Sequence, residues 1–126
     1  MKKEKEISDA EWEVMRVVWA NIEVTSREII NVLINKMDWT ESTIKTLIGR
    51  LVDKGALNTE KEGRAFIYSA NISEKETVNS YSDEILSRVC NKKDVLVLEH
   101  LVQDAALSQK DIKKLIAQLK DKLEDA

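Results

Sequence analysis

Proline is absent from the 126 residues, and cysteine and histidine occur once each, as Cys90 and His100. A single thiol excludes an internal disulfide framework and suits a reducing cytoplasm, the expected location. One cysteine and one histidine also fall short of the four-ligand set of a structural zinc site. Glycine is nearly as scarce, with only Gly49, Gly55 and Gly63, so no phosphate-binding glycine loop is available. With no nucleophile–base pair and no metal cluster either, the expectation is a binding protein rather than an enzyme, with no cofactor and no metal site. No apolar run approaches the ~20 residues of a membrane span. The start, MKKEKEISDAEWEV, lacks the apolar stretch of a signal peptide. An excess of positive charge is missing too: 20 basic against 23 acidic groups leave −3, so bulk charge cannot hold nucleic acid. Residues 1–70 carry 11 basic and 12 acidic groups, and residues 71–126 carry 9 and 11. Any nucleic-acid face must therefore come from the placement of a few charges.

What is present is a series of well-marked helix starts. Ser8-Asp9-Ala10-Glu11 and Thr25-Ser26-Arg27-Glu28 are capping boxes, in which a hydroxyl and a carboxylate three residues apart satisfy each other's backbone amides. Trp12, Met15, Val18 and Trp19 follow the first at helical spacing, predicting a helix to about Ala20. Ile29, Ile30, Leu33, Ile34 and Met37 follow the second. Thr40 caps a third helix with Ile44, Leu47, Ile48, Leu51 and Val52 on one face and Gly55 as its stop. The period then changes. Residues 56–62 and 65–70 flank the turn Glu62-Gly63-Arg64, and Phe66, Ile67 and Tyr68 favour extended chain, so a hairpin is predicted. Asn21-Ile22-Glu23-Val24 can add a single-bridge third strand. Three helices followed by a hairpin is the order of a winged helix-turn-helix. A third box, Ser73-Glu74-Lys75-Glu76, opens a helix through Val89. After a break at Asn91-Lys92-Lys93, a short helix is expected over 95–102 and a last one from Ser108. The fold expected is mainly α with a small β-hairpin: a winged-helix domain over 1–71 and a helical domain over 72–126.

With its apolar stripe turned inward, the third helix (40–54) shows Ser42, Thr43, Lys45, Thr46, Gly49 and Arg50 on its other face. Hydroxyls and amides at a helix N-terminus bind phosphates, and arginine suits a bidentate contact with guanine. Gly49 costs roughly 1 kcal/mol relative to alanine inside a helix, explicable by close approach to DNA or to a neighbouring helix. The same face also reads as the ordinary solvent side of an amphipathic helix. The hairpin favours the DNA reading, because Lys61 and Arg64 flank the tip at Gly63 where a wing meets the backbone. Lys2, Lys3 and Lys5 read as a solvated terminus. Trp12, Trp19 and Trp39 are expected in the winged-helix core, Cys90 as a buried thiol and His100 as a packed surface residue.

These segments resemble the BlaI/MecI/CopY family of bacterial repressors. The resemblance runs through Ile7-Ser8-Asp9-Ala10-Glu11-Trp12-Glu13-Val14-Met15, Trp39 to Leu51 with Lys54-Gly55, and Lys61 to Tyr68. It continues in Ile72 to Glu76, Ser87 to Cys90 and Leu107-Ser108-Gln109. It implies a homodimeric repressor that binds double-stranded operator DNA carrying TACA and TGTA inverted repeats. Its recognition positions match Ser42, Thr43, Lys45, Thr46 and Arg50. The C-terminal helices would then supply the dimer core through Tyr81, Ile85, Leu98, Leu101, Ile112, Leu115, Ile116 and Leu119. Segments 73–76 and 87–90 look closest to the copper-responsive branch, which implies control of copper-homeostasis genes. That branch carries a tail of two Cys-x-Cys motifs, and this sequence has no cysteine after Cys90. The β-lactam branch is relieved by cleavage at an Asn-Phe bond where His100-Leu101 stands here. The inducing effector is therefore left open. The competing expectation is a winged-helix module that uses the same face on a protein partner.

Overall fold

The computed structural model describes residues 6–89 and 94–126. Cys90, the expected break at Asn91-Lys92-Lys93, and Lys2, Lys3 and Lys5 lie outside the described residues. The chain divides into two compact units, Met1–Tyr81 and Ser82–Ala126, a division that falls inside a helix.

The N-terminal unit contains α1 (Asp9–Trp19), β1 (Val24–Thr25), α2 (Ser26–Lys36), α3 (Glu41–Asp53), β2 (Leu57–Glu62) and β3 (Ala65–Ala70). Both predicted capping boxes form: Ser8 with Glu11 ahead of α1, and Thr25 with Glu28 ahead of α2. Thr40 accepts the Thr43 amide ahead of α3. A three-stranded antiparallel sheet has the order β1-β3-β2, with Val24 opposite Tyr68 and Thr59 opposite Tyr68 on the other side. Glu62 pairs with Ala65, leaving a two-residue turn at Gly63-Arg64. Gly63 takes φ +64°, which a tight hairpin turn requires at that position. The mainly helical fold with a small hairpin expected from the sequence is therefore present, and the single-bridge segment before α2 becomes β1.

Met15, Val18, Ile29, Leu33, Ile44 and Leu51 form the centre of the core and have no solvent contact. Burying each such side chain contributes about 1.5–3 kcal/mol. Of the apolar residues along α2, Ile34 is exposed, because it lies about 100° around the helix from Leu33, which takes the inward position. The tryptophans border the core rather than fill it. Trp19 and Trp39 are partly buried against it, and the Trp19 indole N–H donates to the Ile72 carbonyl at 3.0 Å. Trp12 meets Trp19 and Tyr81 edge-on at 5.8 and 5.7 Å between ring centres.

Helix α4 (Glu74–Arg88) begins with the expected Ser73–Glu76 box. The C-terminal unit holds the rest of α4 with α5 (Asp94–Asp104) and α6 (Gln109–Asp125), the last capped by Ser108 and Asp111. No residue of α5 or α6 is buried. Ile85, Leu98, Leu101, Ile112, Leu115, Ile116 and Leu119 are all exposed.

Candidate nucleic-acid interface

Helix α3 turns Ile44, Leu47, Ile48 and Leu51 into the core. The remaining positions emerge together, so Ser42, Thr43, Lys45, Thr46, Gly49 and Arg50 are all exposed on one surface. This is the set read from the sequence. Glu41, Ser42, Lys45 and Thr46 border a shallow depression at the N-terminal half of the helix.

The hydroxyls are not all free to act. Thr43 shares a 3.1 Å hydrogen bond with the Thr40 hydroxyl, and Thr46 donates back to the Ser42 carbonyl at 3.0 Å. Such local bonds fix the rotamers and turn the threonine methyl groups into a defined part of the surface. Lys45 lies 3.1 Å from Glu41, one turn earlier. Arg50 forms no ion pair among the described residues, so its five donors remain available.

The wing supplies two more cations. Lys61 stands over the Phe66 ring at 5.9 Å, across the β2–β3 ladder. Arg64 occupies the turn itself, exposed and without an ion pair among the described residues. Glu60 and Glu62 share strand β2 with Lys61, so the wing is not a uniformly basic edge.

Two features escaped the sequence reading. Arg27, in the first turn of α2, donates from both terminal nitrogens to the two oxygens of Glu41 at 3.2 Å each. The Glu41 carboxyl is held below the usual carboxylate range by the Arg27 hydrogen bonds first and by Lys45 next. The signal was present as opposite charges in the opening turns of two successive capped helices, but only the turn between them brings those charges together. The second feature lies beneath the site. Lys54, the C-cap of α3, pairs with Glu11 of α1 and donates to the Glu6 carbonyl at 2.8 Å. Glu11 is only 2 % exposed and also accepts the Ser8 amide. The capping-box pattern found Glu11 but could not show that its carboxylate also anchors the far end of α3.

Among the described residues no group of three or more His, Cys, Asp or Glu is arranged to hold a metal ion. His100 pairs with Asp104 at 3.0 Å on the surface of α5. No described helix is long and apolar enough to cross a membrane.

Residues 7–121 match the model of the penicillinase repressor family. A 16.5 kDa protein of Latilactobacillus sakei, described by its position 3′ of ptsI, is 48 % identical over 87 % of this chain and 75 % of its own length. The penicillinase repressor of Bacillus licheniformis is 38 % identical over 91 % of this chain and 90 % of its own. The solution structure of monomeric Bacillus licheniformis BlaI in complex with the blaP half-operator superimposes with a TM-score of 0.51 at 46 % identity, covering 56 % of this chain and 87 % of that one.

Proposed function

This chain belongs to the penicillinase repressor family, and from that premise we propose that it represses transcription as a homodimer on palindromic operator DNA. The family consists of repressors, not enzymes. The observation that carries the proposal is the exposed polar face of α3, with Ser42, Thr43, Lys45, Thr46 and Arg50 emerging beside a wing that offers Lys61 and Arg64. Helix α3 enters the major groove and the wing touches the backbone, a division of labour general to helix-turn-helix proteins. Gly49 supports the same reading. An added Cβ there would meet no atom of the described residues within 4 Å outside its own helix backbone, so crowding by a neighbouring helix does not account for the glycine, and close approach of DNA is the reading it supports.

Residues 1–71 form the reading head in this proposal, and residues 72–126 join two copies. Support for the second copy comes from Ile85, Leu98, Leu101, Ile112, Leu115, Ile116 and Leu119, which stand in solvent in a single chain. Tyr81 is assigned to the same interface, although it already meets Trp12. Two-fold symmetry in the protein then mirrors the inverted repeat. The regulated process proposed is copper homeostasis, which rests on the likeness of segments 73–76 and 87–90 to the copper-responsive branch.

The test is a binding titration against a duplex carrying TACA–N2–TGTA and a scrambled control, repeated with Cu(I) and Zn(II). Two protomers per duplex and selective binding that weakens steeply with salt are expected. Release by Cu(I) supports the copper role, and indifference to both metals removes it. Absence of preference at low salt overturns the repressor reading in favour of a protein-contact module. Arg50→Ala is expected to cost about 1–3 kcal/mol of operator affinity as a base contact. Unchanged affinity would remove Arg50 from the contact set.

A further inference from the structure

Glu41 is a carboxylate on a face proposed to meet polyphosphate, and its environment gives it a task there. One of its oxygens takes Arg27 Nη1 and the other takes Arg27 Nη2, both at 3.2 Å, while Lys45 Nζ lies 3.1 Å from Oε2. A single anion thus holds two cations from two different helices. Helix capping does not require it, since the Thr40 hydroxyl already accepts the Thr43 amide. Stability does not require it either: Arg27 and Lys45 are each 59 % exposed and Glu41 is 40 % exposed, and exposed pairs contribute little to folding. The geometry matters instead for what else the donors can bind. The fork that grips a carboxylate at two oxygens is the fork that grips a phosphate, so a phosphate at this end of α3 competes with Glu41 for the same N–H groups.

We propose that Arg27, Glu41 and Lys45 form a charge clamp in which Glu41 determines specificity, by holding the two cations in register and opposing DNA that is bound through phosphates alone. The inference rests on the repressor reading above and deepens it. Non-specific binding is almost entirely phosphate neutralisation, so an anion placed among the phosphate-binding cations opposes it in full. A specific complex is fixed by base contacts as well, and it gains from finding Arg27 and Lys45 already oriented. The same carboxylate therefore penalises the wrong duplex more than the right one. Arg27 is, in this arrangement, a backbone contact contributed by α2.

The experiment measures the affinity of wild type, Glu41→Gln and Arg27→Gln for the TACA–N2–TGTA duplex and for its scrambled control, across a salt series. Glu41→Gln is expected to tighten scrambled binding by about fivefold, the scale of one exposed charge interaction, and to lower the operator-to-scrambled ratio. Arg27→Gln is expected to weaken both duplexes together and to make the salt dependence shallower by about 1.8 in log–log slope, one phosphate contact from each of the two protomers. An unchanged or raised ratio in Glu41→Gln, or an unchanged slope in Arg27→Gln, overturns the clamp while leaving the repressor reading intact. A wild-type protein with no operator preference overturns both, so the two failures are told apart in the same titration.

Discussion

Leu33 and Leu115 stand on amphipathic helices opened by the same device, a hydroxyl cap with an acid three residues on, yet their surroundings are opposite. Leu33 has no solvent exposure, whereas Leu115 is 39 % exposed. The contrast extends across the two units. In Met1–Tyr81, three helices and a three-stranded sheet supply enough faces to close a core around Met15, Ile29, Leu33, Ile44 and Leu51. Among the described residues of Ser82–Ala126 there is no strand, and no residue of α5 or α6 is buried. Periodicity shows that a face needs covering, but it does not identify the cover. The N-terminal unit closes a core of its own, and the C-terminal helices are left for a second copy in the function proposed above.

The sharpest way to break this contrast is to truncate the same residue type in each unit. Leu33→Ala removes a fully buried side chain and is expected to cost about 2–5 kcal/mol. Leu115→Ala in dilute protein is expected to cost a small fraction of that. Urea unfolding followed through tryptophan emission reads the first directly, because Trp12, Trp19 and Trp39 all lie in the N-terminal unit. Equal losses in the two variants at high dilution would mean that the C-terminal helices already own a core.

A second test concerns Glu11, the one buried charge among the described residues of the N-terminal unit. Burial raises the Glu11 carboxyl, but the Lys54 ammonium and the Ser8 backbone N–H outweigh it, so the net shift is downward. A carboxylate depressed in the folded state contributes fully above its unfolded value of about 4.3 and loses that contribution as the pH falls through the lower, folded value. Lys54→Met leaves Glu11 without its cation and is expected to cost about 2 kcal/mol at neutral pH, the scale of a lost hydrogen bond to a charged group. The wild type should lose more stability than Lys54→Met on acidification below about 4.3, so the two converge. Parallel acid profiles would show that the pair does not set the acid response.

Much of this is legible in the sequence, and the division between readable and unreadable is physical. The helix starts were readable because a cap is a local bargain: Ser8 with Glu11, Thr25 with Glu28 and Ser108 with Asp111 are each settled within four residues. The hairpin was readable because Gly63 alone can take its backbone angle at no steric cost. The polar face of α3 followed from its apolar stripe, so Ser42, Thr43, Lys45, Thr46 and Arg50 came as a set. What the sequence did not yield were the pairings across elements. Arg27 with Glu41 is separated by 14 residues and Lys54 with Glu11 by 43, and nothing in the local pattern marks two charges as partners over such distances. Which apolar residues of α2 turn inward is unreadable for a related reason: only the direction of the core puts Leu33 inside and leaves Ile34 exposed.

The third test asks whether concentration removes the difference between the units. If α4, α5 and α6 are completed by a second copy, Ile116→Ser should weaken self-association by about tenfold, about 1.4 kcal/mol for the two copies of one half-exposed side chain lost from a symmetric interface. Sedimentation equilibrium over a concentration series reads this, with the melting of the N-terminal unit as an internal control. A dissociation constant equal to that of the wild type would place Ile116 outside the contact.

The smallest effect is the most discriminating, because it moves folding and binding in opposite directions. Gly49 lies inside α3 on its exposed face, and among the described residues a Cβ there would meet nothing within 4 Å outside its own helix backbone. Gly49→Ala therefore removes backbone freedom from the unfolded chain without creating a clash, and it should stabilise the N-terminal unit by about 0.5–1 kcal/mol. A helix optimised only for folding would carry the alanine. If α3 lies against DNA, the added methyl occupies space the duplex needs, and operator affinity falls while the melting temperature rises. A rise in both would show that Gly49 faces open solvent in the complex, moving the close contact along α3 towards the turn that carries Ser42, Lys45 and Thr46.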